Sequence, residues 1–186
     1  MNQFSAQGTP IDVLQVGNEI NDGLLWPVGQ ISVNGLAPVS QLLHSAIDGA
    51  RTASGASAAA KTLVHLANGW DWAALDAFFS GVFVPGALAE SDVDLIGVSF
   101  YPFYDDRATF AALKTALANA AAAWGKGLVV AETNWPASCP DGSVSEPTVP
   151  LSTSGQSTWT WDVKEVLDGL PDGLGQGICE WRRSCL

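Results

Sequence analysis

Apolar residues along this chain fall into two alternating patterns. Short apolar, often β-branched runs at Asp12–Val16, Thr62–Ala67, Asp94–Ser99, Leu128–Glu132 and Gly177–Trp181 predict five strands. Between them the spacing turns helical. Val39, Leu42, Leu43, Ala46, Ile47 and Ala50 form a stripe at the period of an amphipathic helix. Ala73–Phe79 predicts a shorter helix, and Phe110, Leu113, Leu117, Ala120, Ala121 and Trp124 another, ended by Gly125-Lys126-Gly127. Trp159–Leu170 is the last, stopped by Pro171 and Gly173. Runs without polar alternation suit parallel strands buried on both faces, and strand–helix alternation at intervals of roughly 30 to 50 residues predicts a parallel α/β protein.

No glycine-rich phosphate loop follows any strand, which removes the usual reason to prefer a dinucleotide-binding sheet. Polar and aromatic residues instead stand at the C-terminal ends of all the runs: Glu19, Asn68 and Trp70, Tyr101, Glu132, and Trp181. That distribution is the one a TIM barrel shows. A full barrel has eight strands, and the chain starts just before a strand. The expected architecture is therefore a partial TIM (β/α)8 barrel, about strands 4 to 8 with their helices, making residues 1–186 a single incomplete catalytic domain. Ser138–Gln156, rich in Pro, Ser, Thr and Gly, reads as a long loop on the active face.

Charge narrows the partners. Nineteen acidic residues against eight basic ones give a formal charge of −11 with no Lys/Arg cluster, so no nucleic acid is expected, and the acidity serves solubility. No apolar run reaches the roughly 18 residues of a membrane span, so no membrane partner is expected, and Met1–Ser5 lacks the features of a signal peptide. Cys139, Cys179 and Cys185 have no metal-ligand spacing, so neither metal nor cofactor is predicted. At least one thiol of the three stays unpaired within the chain, and sequence does not choose between Cys179 and Cys185 as a partner for Cys139. Eight tryptophans bring a positive signal, because indole faces match the C–H face of a pyranose.

The chemistry lies in two glutamates. Glu19 ends Val13-Leu14-Gln15-Val16-Gly17-Asn18-Glu19-Ile20, and Glu132 ends Leu128-Val129-Val130-Ala131-Glu132 before Thr133-Asn134-Trp135-Pro136. Each alone is weak evidence, since a strand-end Glu is usually a solvated or ion-paired residue. On strands three apart in a barrel they suit retaining hydrolysis of a glycosidic bond, which needs carboxyls about 5–5.5 Å apart.

Gln15–Ile20, Gly23-Leu24-Leu25-Trp26-Pro27, His65-Leu66-Ala67-Asn68-Gly69-Trp70, Gly97–Tyr104 and Val130–Pro136 together resemble glycoside hydrolase family 53. These are the arabinogalactan endo-β-1,4-galactanases, secreted (β/α)8-barrel enzymes, and Asn134-Trp135-Pro136 with Cys139-Pro140 resembles the fungal branch. The resemblance implies Glu19 as acid/base, Glu132 as nucleophile, Asn18 on the sugar 2-hydroxyl and the Tyr101 phenol on Glu132. It places His65, Asn68 and Trp70 along the cleft and Trp181 beneath the bound sugar. Trp26 and Trp135 are either sugar platforms or packing under the loops. The substrate it implies is β-1,4-galactan, the compartment extracellular, the enzyme a monomer. It also implies a partner for Cys139 that the ending Arg182–Leu186 does not carry, and an aromatic where Glu180 stands. A second reading is an inactive galactan-binding or non-functional fragment, because an incomplete barrel leaves open sheet edges. A third, an unrelated open-sheet protein, has no ligand motif to support it.

Overall fold

The computed structural model describes residues 2–53, 60–138 and 143–181. Its elements run α1 (Asn2–Ala6), β1 (Val13–Gln15), β2 (Gly23–Leu24), β3 (Gly29–Gln30), α2 (Ile31–Asn34), α3 (Leu36–Ala53), β4 (Lys61–Leu66), α4 (Trp72–Val82), β5 (Leu95–Phe100), α5 (Phe110–Trp124), β6 (Gly127–Thr133), α6 (Thr153–Asp168) and β7 (Gly175–Glu180). The five long runs are the strands of one sheet in the order β1-β4-β5-β6-β7, and β2 with β3 forms a separate hairpin. The strands are parallel, as a partial TIM barrel requires.

Burial follows strand order. Every residue of β5 and all but the first of β4 are buried, as expected for continuous apolar strands. The expectation fails for β1 and β7, whose residues are exposed or half-buried. Among the described residues they end the order, so each has a ladder partner there on one side only.

The chain divides into two compact units, Met1–His65 with Ala77–Ile96, and Leu66–Asp76 with Gly97–Leu186. The core of the first is Val39, Leu43 and Ile47 of α3 with Leu63, Val64, Phe79, Val82 and Leu88. One polar residue is buried among them without penalty: the Ser40 hydroxyl donates to the Val82 carbonyl (2.7 Å) and accepts from the Leu88 N–H (3.1 Å). Asp92 ties α3 to the approach to β5. It accepts from Arg51 Nη1 (2.7 Å) and the Ala89 N–H (3.0 Å), and His44 Nδ1 lies 3.4 Å away. Partial burial pushes its carboxyl up, but the bonds from Arg51, Ala89 and His44 outweigh that, and it sits below the ordinary carboxylate range.

The second unit is built on aromatic packing. Trp159 of α6 stacks on Phe100 of β5 (4.8 Å, 12°) and packs against Phe110 (4.7 Å) and Trp135 (4.9 Å). The Thr133 hydroxyl, at the end of β6, ties that strand to β5 and α6. It donates to the Phe100 carbonyl (2.6 Å) and accepts from Trp159 Nε1 (2.7 Å). α5 is capped by Thr109, whose hydroxyl accepts from the Ala112 N–H.

The predicted boundaries shift most at the start of α6. α6 starts at Thr153, so the expected loop Ser138–Gln156 gives up its last four residues to a helix. Thr-Ser-Gly-Gln-Ser-Thr has poor helix propensity, but Ser152 caps it by accepting from the Gly155 N–H, and the buried Trp159 face supplies the packing. The β2–β3 hairpin and α2 follow Glu19 where no element was predicted, since neither has a periodic apolar run.

Two outcomes test these contacts. Thr133→Val keeps the shape but strands a buried indole N–H and a buried carbonyl, and should cost about 2–4 kcal/mol, read as a lower urea midpoint. An unchanged midpoint would show that the hydroxyl bonds carry no net stability. For Asp92 the folded carboxyl is the stronger acid, so its contribution is present above the unfolded pKa near 3.9 and lost as pH falls through the lower folded value. Asp92→Asn should therefore cost about 1 kcal/mol at neutral pH and less in acid, once the carboxyl is protonated in the folded state. A deficit of equal size at both pH values would contradict this.

Candidate active site

The first carboxylate stands on a turn. β1 makes its last rung where the Val16 N–H donates to the Leu63 carbonyl (2.8 Å), and the chain rejoins β4 where the Ile20 N–H donates to the His65 carbonyl (3.1 Å). Between the two, Gly17 (φ +82°) and Glu19 (φ +48°) take left-handed conformations. Glycine does so freely, whereas a glutamate there costs on the order of 1 kcal/mol and persists only where its neighbours dictate it. Here the flanking rungs dictate it, and Glu19 is exposed. Beside it, Asn18 Oδ1 accepts from Gln15 Nε2 (2.9 Å) and from His65 Nδ1 (3.1 Å). An amide oxygen only accepts, so His65 carries a hydrogen on Nδ1. His65 is wholly buried on β4 and therefore orients Asn18 rather than lining a surface.

The segment after Glu19 is tied down by Asp22. Its carboxylate accepts from the Ser32 N–H (2.6 Å) and hydroxyl (2.9 Å), bonds that hold it below the usual carboxylate range. Trp26 is exposed, with Nε1 donating to the Asp22 carbonyl (3.1 Å).

The second carboxylate is Glu132 of β6, half-buried. The Tyr101 hydroxyl, just past the end of β5, donates to Glu132 Oε2 at 2.9 Å. Tyr101 follows Phe100 and Glu132 precedes Thr133, so the bond between Thr133 and the Phe100 carbonyl sits directly behind this pair. The Trp181 N–H donates to the Thr133 carbonyl (2.8 Å), placing the exposed Trp181 at the end of β7 on the same support.

Asn68 is exposed and left-handed (φ +62°) after β4, and its carbonyl accepts from the Asp71 N–H (2.9 Å). Gly69 follows because nothing larger fits: a Cβ there would stand 2.6 Å from Val98 Cγ2. Trp70 is buried against Phe100 (6.3 Å), and its Nε1 has no hydrogen-bond partner among the described residues. Of the two readings left open for Trp135, the structure gives packing and not a platform. It is 1% exposed, donates Nε1 to the Pro150 carbonyl (2.8 Å) and presses on Trp159, leaving no face for a sugar. Cys179 is exposed, and Cys139, Cys185 and the ending Arg182–Leu186 lie outside the described residues. Among the described residues no group of three or more His, Cys, Asp or Glu could hold a metal. A cavity of about 890 Å³ lies between α6 and β7, lined in part by Asn134, Gln156, Trp161 and Glu180; neither Glu132 nor Tyr101 lines it.

Sequence reasoning missed Thr133 and Trp159 as supports. The available signal was a buried hydroxyl next to the carboxylate, but its partners are an indole and a carbonyl from distant segments.

Known proteins resemble this chain in sequence and fold. The chain is 42% identical over 178 residues to arabinogalactan endo-beta-1,4-galactanase A of Aspergillus niger, covering 94% of this chain and 50% of that enzyme. It is 40% identical to the arabinogalactan endo-beta-1,4-galactanase of Thermothelomyces thermophilus, covering 94% and 53%. The chain thus spans about half the length of the curated relatives it matches. A solved fungal beta-1,4-galactanase superposes with a TM-score of 0.90 at 39% identity, over 97% of this chain and 54% of that one. The GH53 catalytic domain of Ignisphaera aggregans, at 23% identity and a TM-score of 0.75, shares the fold. The sequence model of glycosyl hydrolase family 53 matches residues 1–185, and the chain belongs to that family.

Proposed function

We propose that this chain carries the catalytic carboxylates of a retaining endo-β-1,4-galactanase acting on type I arabinogalactan. The observation that carries the reading is the Tyr101 hydroxyl bonded to Glu132. A phenol on one carboxylate oxygen fixes the side chain and leaves the other oxygen for attack on an anomeric carbon. Glu132 is accordingly the nucleophile and forms a galactosyl ester. Glu19 protonates the departing oxygen, then deprotonates the water that resolves the ester. Asn18, its carbonyl occupied by Gln15 and His65, offers its amide N–H to the sugar 2-hydroxyl, a contact that strengthens in the transition state. Trp181 offers an exposed indole face to the sugar, while Asn68 shapes the cleft wall over the buried Trp70. The choice of galactan rests on the named relatives, since other polysaccharides suit the same two-glutamate plan. The whole protein acts outside the cell, as a monomer and without a cofactor.

The variants separate the roles. With an activated aryl β-galactobioside and azide, Glu132→Ala should regain turnover and release the α-galactobiosyl azide. Glu19→Ala should release the β-azide. Without azide, each should lose about 10²- to 10⁴-fold or more in kcat on galactan. Full activity in either variant, or α-azide from Glu19→Ala, would reverse or remove the assignment.

A further inference from the structure

Beyond the two carboxylates, the second unit displays an aromatic ring that is largely open to solvent. Tyr104 is 68% exposed. Its ring meets Tyr101 edge to face (5.4 Å, 74°) and Phe103 likewise (4.8 Å, 73°), and Phe103 touches Tyr101 in turn (5.4 Å). The three rings form one cluster whose innermost member donates to Glu132. Tyr104 is thus braced by the residue that holds the proposed nucleophile, with most of its surface still open to solvent.

The turn beneath the cluster is built to stay in place. The Ser145 N–H donates to the Pro102 carbonyl (2.8 Å), and its hydroxyl donates to the Ala108 carbonyl (2.6 Å). Arg107 grips Asp105 through two nitrogens (3.0 and 2.6 Å). A narrow cleft of about 110 Å³ runs alongside, with Asp105, Asp106, Ser143 and Ser145 among its lining. An open, braced aromatic ring beside hydrogen-bonding groups fits one class of ligand: a pyranose, whose C–H face packs on the ring while its hydroxyls meet the oxygens. Tyrosine loses few rotamers on contact, so holding it costs little.

We infer that Tyr104 is a stacking platform for a galactosyl residue of the chain held at Glu132, a substrate-positioning residue rather than a catalytic one. The inference rests on the galactan reading above. Its effect belongs to binding: losing the platform weakens affinity and raises KM, while the step at Glu132 proceeds at nearly its former kcat.

Affinity electrophoresis of the whole protein in gels with and without β-1,4-galactan tests it, using Glu132→Gln so that the polymer is not consumed. In that background Tyr104→Ala should bind about tenfold more weakly. Tyr104→Phe and Tyr104→Trp should bind like the parent. Tyr104→Leu, which keeps apolar bulk but has no flat ring, should behave like Tyr104→Ala and guards against a folding defect in the smaller variant. Equal retardation of the parent and Tyr104→Leu would overturn the platform while leaving the galactan reading intact. A parent that migrates identically in both gels would overturn both.

Discussion

One hydroxyl group holds the second unit's chemistry in place. Thr133 donates to the Phe100 carbonyl and accepts from Trp159 Nε1, so a single buried oxygen links β5, β6 and α6. Hydrogen bonds are worth little net when both partners could reach water, yet costly when one partner is buried and orphaned. This one is buried at both ends, and the stacked Phe100 and Trp159 rings close around it. Tyr101 and Glu132 are the immediate neighbours of the two residues it joins. Their 2.9 Å bond inherits its geometry from that link, as preorganised groups inherit theirs from the shell behind them.

Glu19 is held by other means. It owes its place to backbone, a left-handed turn between two rungs of the β1–β4 ladder. The two carboxylates therefore differ in vulnerability. Glu132 is sensitive to core substitutions on α6, far from it in sequence. Glu19 is sensitive to changes at Gly17, which must turn the chain before it. Asn18 combines both, with a backbone place on the turn and an amide oriented by the buried His65.

Most of the fold was legible because its strands are short, apolar and bounded by turns, and its main helices are periodic. Lys61–Leu66 and Leu95–Phe100 match their predicted runs to within a residue, since burial on both faces writes itself into composition. The start of α6 was not legible, because a serine cap and a tryptophan seven residues into the helix overrule poor local propensity. Trp135 shows the limit at the site. Indole composition cannot tell a ring on the surface from one beneath a loop, and the Pro150 carbonyl that decides it comes from a separate stretch. The Tyr101–Glu132 contact was reachable only through family resemblance, since nothing in spacing alone brings a β5 phenol to a β6 carboxylate.

The claim that Glu132 is the nucleophile can be tested by trapping it. Incubate the whole protein with a 2-deoxy-2-fluoro-galactobioside bearing an activated leaving group, digest it, and locate the added mass by peptide mass spectrometry. A retaining mechanism on this residue predicts one ester-linked adduct, on the peptide containing Glu132. An adduct on another carboxylate, or none in an enzyme that releases inverted product from galactan, would contradict it.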